Sequence, residues 1–140
     1  MKLESCAEGD ARVAVIDGEG LASLREWIAA VDGGARQARH GAADALLLDF
    51  RKAGFTPSAR DASAIVAALL AECGERLPPV AVVTNPGVQY GGARVLCVMG
   101  ELRGCQAAAF LDDGKAWSWV LGVLAEEIPD QADPGLQAEA

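Results

Sequence analysis

The chain has 140 residues, 51% of them apolar and 23% charged, and a formal charge of −8. That length suits one domain burying roughly 70% of the surface its unfolded form exposes, so a core forms without a disulfide or metal staple. No run approaches the roughly 18 consecutive apolar residues of a membrane span, and the acidic balance repels phosphate backbones, which argues against membrane insertion and nucleic acid.

Much of the acidity is local. Glu126, Glu127, Asp130, Asp133 and Glu139 supply five negative charges, and no basic residue follows Lys115. Pro129 and Pro134 break helix there, so residues 129–140 read as a mobile acidic tail behind a domain spanning 1–128. Met1 to Ser5 lack the apolar run of a secretory signal, and a cytoplasmic location is expected. Arg36, Arg39 and His40 form a short basic segment, read as a solvated loop or a local patch. The spacing of Cys6, Cys73, Cys97 and Cys105 matches no metal or redox pair, so they read as core thiols. A single histidine argues against zinc or a histidine-based triad. Neither a metal nor a cofactor is expected.

Residues 2–6 and 12–16 look like two arms of a hairpin joined through 7–10. Leu21, Leu24, Trp27, Ile28 and Val31 then recur at helical steps, and Asp32-Gly33-Gly34 can end that first helix. Residues 35–43 read as an extra helical turn or a loop. Ala45 to Phe50 is a short unbroken apolar run, which predicts a strand covered on both faces. Ser58 is placed to cap a second helix carrying Ala62, Ile65, Val66, Leu69, Leu70 and Cys73, with Gly74 at its far end. Val80 to Val83 is the next strand. Thr84-Asn85-Pro86-Gly87 turns the chain toward a third helix, whose stripe is Val95, Val98, Met99 and Leu102 and whose stop is Gly104. Cys105 to Phe110 is the last strand. Asp112 or Asp113 caps a final helix with the stripe Trp117, Val120, Leu121 and Leu124. Trp119 lies about 200° around that helix from Trp117, which makes it either a partner surface or a packing residue.

Strand and helix thus alternate, which predicts a parallel α/β sheet. In such sheets ligands bind beyond the carboxyl ends of the strands, where helix amino termini offer free N–H groups. Residues 17–20, 49–58, 84–92 and 111–114 converge there. Neither GxGxxG nor GxxxxGK[ST] occurs, and Gly18, Gly20, Gly91 and Gly92 fit turns and close packing as well as phosphate. Asp49, with Arg51 and Arg60 near it in sequence, is either a functional carboxylate or an acceptor for the following turn. Nothing in the sequence ties Asp17, Asp49 and Asp112 into a catalytic pair. Tyr90-Gly91-Gly92-Ala93-Arg94 could bind a flat or anionic ligand, or lock its loop to the preceding helix.

The succession of a hairpin, Leu48-Asp49-Phe50, a helix from Ser58, Val80-Ala81-Val82-Val83, Tyr90 to Arg94, and Ala109 to Trp117 resembles the STAS-like, SpoIIAA-like superfamily. It most resembles uncharacterised bacterial members that pair a YGxxR-type helix start with an F-x-D-x-x-x-A-x-x-W-type segment, here Phe110, Asp112, Ala116 and Trp119. The resemblance implies a β/α superhelix with four helices and a mostly parallel sheet of four or five strands, the first antiparallel. It also implies a non-enzymatic regulatory or protein-interaction module. In phosphorylation-switched members a serine in an Asp-Ser-Ser-Gly turn opens the second helix. The matching segment here is Pro57-Ser58-Ala59-Arg60, which keeps Ser58 as a phosphorylation candidate but lacks the aspartate and the glycine.

The functional expectation is therefore a module that takes a protein partner or a second copy of itself, with Trp119 as candidate interface. The alternative is a small anionic or lipid-like ligand held by Asp49, Thr56, Ser58, Asn85, Tyr90 and Arg94 at the loops before the second and third helices. An enzyme would need Asp49, Tyr90 and Arg94 in one pocket with shifted pKa values.

Overall fold

A computed structural model of the chain describes the backbone of residues 2–5 and residues 11–126 in full. The hairpin connection at 7–10, Cys6 and the acidic tail at 129–140 lie outside the described residues. The elements follow as β1 (Lys2–Ser5), β2 (Arg12–Asp17), α1 (Leu24–Arg39), β3 (Ala45–Asp49), α2 (Ala59–Cys73), β4 (Val80–Val83), α3 (Val88–Leu102), β5 (Ala107–Phe110) and α4 (Asp113–Glu126).

The strands β2, β3, β4 and β5 lie side by side in chain order, each parallel to the last. The period of two along a strand divides the apolar side chains between two cores. Ala14, Ile16, Leu46, Leu48, Val80, Val82 and Ala107 face α1, α2 and α3, whereas Val13, Ala45, Leu47, Ala81 and Val83 face α4. Three successive crossovers therefore place their helices on the same side, and α4 covers the other. The winding never reverses along the parallel strands, so the sheet has no point where two strand orders diverge to open a crevice.

Helix α2 follows its sequence pattern closely. Ala62, Ile65, Val66 and Leu69 are buried, Leu70 and Cys73 pack at the margin, and Gly74 ends the helix at a φ of 62°. Four other readings need correction. Helix α1 does not stop at Gly33-Gly34 but runs on to Arg39. Gly34 is there for proximity, because a Cβ on it would stand 3.3 Å from both Ile16 and Leu46 side chains. The chain leaves the helix only at Gly41, whose φ of 80° favours glycine.

In α3 the predicted stripe is largely on the outside. Ala93, Leu96, Cys97 and Gly100 are buried, Met99 packs at the core margin, and Val95, Val98 and Leu102 are exposed. Small side chains let α3 lie close to the alanines of β5, and Gly100 sits within ordinary contact of Cys105 and Ala107. In α4 the buried line is Ala116, Val120 and Val123, with Trp117, Trp119 and Leu124 half-buried around it. Leu121, assigned to that stripe from sequence, lies outside the packed cluster. The last strand begins at Ala107 rather than Cys105.

Candidate functional site at the carboxyl rim

The parallel strands end together at one rim, which carries most of the polar residues singled out from sequence. Asp49 closes β3, and two positions later Arg51 folds back onto it. Asp49 Oδ1 accepts hydrogen bonds from the Arg51 backbone N–H and Nε at 3.0 Å each, and Oδ2 accepts one from Nη2 at 2.7 Å. Burial pushes the Asp49 carboxyl upward. The hydrogen bonds from Arg51, with the positive charges of Arg51 and Lys52, outweigh it and hold the group below the usual carboxylate range. The same hydrogen bonds raise the Arg51 pKa against its own desolvation. Arg51 Nη2 also stands 3.9 Å from Asp113 at the start of α4.

A second set of bonds ties this turn to the loop before α3. Asn85 Nδ2 donates to the Arg51 carbonyl at 2.9 Å, and Gln89 Nε2 donates to the Phe50 carbonyl at 2.8 Å. Gln89 Oε1 in turn accepts the Asn85 backbone N–H at 2.7 Å. Asn85 thus joins the turn that holds Asp49 and Arg51. Gln89 escaped the sequence reading because a glutamine in the first turn of a helix looks like any solvated residue.

Ser58 caps α2 through a reciprocal pair: its hydroxyl accepts the Asp61 backbone N–H at 3.2 Å, and Asp61 Oδ2 accepts the Ser58 backbone N–H at 3.0 Å. Thr56 is exposed just before Pro57. The loop reaches α3 at Gly92, where a Cβ would stand 2.8 Å from the Pro57 carbonyl oxygen. Gly92 thus fits the loop-locking reading of its cluster. Arg94 lies 6.0 Å above the Tyr90 ring, within cation–π range. The structure therefore ties Asn85 to the turn that holds Asp49 and Arg51, pairs Tyr90 with Arg94, and sets Pro57, which precedes Ser58, against Gly92 of α3.

The acidic residues of the rim serve their own turns. Asp17 Oδ1 accepts the Glu19 backbone N–H at 2.9 Å, and Asp112 Oδ1 accepts that of Lys115 at 3.1 Å, which caps α4. Thr84, at the end of β4, is buried, and its hydroxyl has no hydrogen-bond partner among the described residues. Around the rim, Val88 is 82% exposed and Leu111 50% exposed.

Trp119 lies elsewhere. It packs against Phe110 with ring centroids 5.9 Å apart and lines a groove of about 500 Å³ with Gln106, Ala108 and Gly122. A groove of about 600 Å³ lies at the amino ends of the strands, between Arg39, His40, Cys73 and Arg76. There Arg39 reaches Glu72 at 3.1 Å, with Arg36 3.7 Å from the same carboxylate. Among the described residues no cluster of three metal-ligating side chains occurs, and no helix is long and apolar enough to cross a membrane. No protein-family model and no curated protein matches the chain.

Proposed function

We propose that the chain is a STAS-like regulatory or protein-interaction module of the SpoIIAA-like superhelical type, with Lys2–Ser5 as a fifth, antiparallel strand, and that it works without turning over a substrate. The observation that carries this reading is the exposure of Val88 and Leu111 on a rim whose carboxylates are engaged by caps and turns. Apolar side chains held in water beside a rigid polar frame suit a partner surface. The unreversed winding of the parallel strands, which opens no switch-point crevice, supports the same conclusion.

Ser58 offers this surface a regulatory position. A phosphate there would gain from the amides of the α2 amino terminus but would meet the Asp61 carboxylate, which already holds the Ser58 backbone N–H. Modification would therefore exchange the capping box for a phosphate cap and change the charge of the rim. The test is affinity capture from cells of the source organism, comparing the wild type with Val88→Asp and Leu111→Asp. Loss of one reproducible protein partner in both variants is expected. A partner set unchanged by both substitutions would refute the assignment of this surface.

A second reading, a small anionic or lipid-like ligand at the same loops, is favoured by the approach of Pro57 to Gly92, which sets the amino termini of α2 and α3 side by side. Native mass spectrometry and thermal shift against phosphate esters and fatty acids distinguish it, since the bound species should disappear in Tyr90→Ala.

A further inference from the structure

Four of the five large hydrophobic residues that the described structure leaves exposed lie on α3: Val88 at 82%, Val95 at 37%, Val98 at 49% and Leu102 at 79%. They are not scattered. Val88, Val95 and Leu102 recur every seven residues, Gly91 and Val98 fall between them, and all five share the face opposite Ala93, Leu96, Cys97 and Gly100. Such spacing is the seam of a helix pair. Among the described residues nothing within 4 Å would meet a Cβ on Gly91, so this seam has a notch near one end and its bulkiest exposed side chain, Leu102, near the other.

We infer that α3 docks antiparallel on α3 of a second copy of this chain. The inference rests on the interaction-module reading and names one occupant for a surface that reading leaves open. Two features select a second copy. In the antiparallel register that sets Val95 against the partner's Val98, Gly91 receives the partner's Leu102, so notch and projection fit twice about one two-fold axis. In the same register Arg94 faces the partner's Glu101. Both are exposed and flank the seam on the same side, and neither has an ion-pair partner among the described residues. One helix supplying both charges and both shapes is what an isologous contact requires. A single helix pair buries less than the standard interface of about 1,600 Å², so the dimer is weak and depends on concentration.

Sedimentation equilibrium on the full chain across a wide concentration range tests this. The wild type should dimerise reversibly. Val98→Glu and Leu102→Glu should each weaken dimerisation about tenfold or more, with circular dichroism confirming the fold. Arg94→Glu should weaken it, and Arg94→Glu combined with Glu101→Arg should restore it, since the swap preserves the pairing only in the antiparallel register. A wild type monomeric at every concentration overturns the inference, as does a dimer indifferent to Val98→Glu or a charge swap that fails to restore. A monomer that loses a foreign protein on Val98→Glu assigns the face to that protein and overturns the second copy. The rim reading is decided separately, by capture with Leu111→Asp, which lies outside α3 and leaves the seam intact.

Discussion

The backbone N–H of Gly18 donates to the carbonyl oxygen of Asp49 at 2.8 Å, and the same approach leaves no room for a side chain. A Cβ on Gly18 would stand 2.7 Å from that oxygen, 2.7 Å from Trp27 Cζ2 and 2.9 Å from Ala53 Cβ. Two of these neighbours are fixed by the core, because Trp27 stacks on Phe50 at 4.0 Å and Asp49 belongs to a central strand. Gly18→Ala should therefore cost about 1–3 kcal/mol or more. Urea denaturation followed by tryptophan fluorescence measures it, and a neutral result would show that the β2–α1 turn yields easily.

The Asp49–Arg51 fork makes stability depend on pH. Because the folded carboxyl titrates below its unfolded value of 3.8, the fork contributes fully above that pH and is lost as acid protonates the folded carboxylate. The wild type should exceed Asp49→Asn by about 1 kcal/mol near neutrality, since Arg51 is partly exposed to screening solvent. The difference should shrink towards zero as pH falls below 3.8. Urea melts at stepped pH decide this, and a difference that grows on acidification would contradict the assignment.

These two contacts also mark what the sequence could and could not reveal. Asp49 and Arg51 stand two residues apart after an apolar run, so a turn acceptor was among the readings open from spacing alone. The Gly18 contact was not visible, since it depends on how closely β3, Trp27 and the loop at Ala53 converge. Helix α2 was legible because its cap, stripe and terminal glycine agree. Helix α3 misled because hydrophobicity ranks Val95, Val98 and Leu102 above Ala93 and Gly100, while the narrow space over β5 selects the smaller side chains. Gly33-Gly34 misled for a similar reason, being a sign of close helix–sheet approach rather than of a stop.

The Ser58–Asp61 capping box should behave as a coupled pair. Ser58→Ala removes the acceptor of the Asp61 N–H, and Asp61→Ala removes the acceptor of the Ser58 N–H. Each should cost about 1 kcal/mol. The double variant should lose less than the two losses together, because each half orients the other. Chemical denaturation of the four proteins closes the cycle, and strict additivity would show two independent bonds.

The thiols should react in order of their surroundings. Burial pushes Cys97 up to about 12 and Cys105 up to about 11, and raises the half-buried Cys73 as well. At neutral pH a thiol-specific reagent, read site by site with mass spectrometry, should label Cys73 before Cys97 and Cys105. Labelling of Cys97 and Cys105 should wait for unfolding and accelerate in step with added urea. Rapid modification of either in the native protein would contradict the packing of α3 on β5.

Gly100 and Gly122 offer a matched test of that packing. Both lie inside helices without positive φ, so alanine at either should gain about 0.5–1 kcal/mol by restricting the unfolded chain. Gly122 faces open space, with nothing within 4 Å of a Cβ placed there. At Gly100 the methyl would instead enter ordinary contact, 3.5 Å from Cys105 Cβ and 3.9 Å from Ala107 Cβ, beside a small apolar cavity of about 20 Å³. Gly100→Ala should therefore raise the midpoint of thermal unfolding more than Gly122→Ala, the excess reporting the dispersion gained against β5. If Gly100→Ala is the less stable of the two, α3 lies closer to the sheet than a methyl group allows.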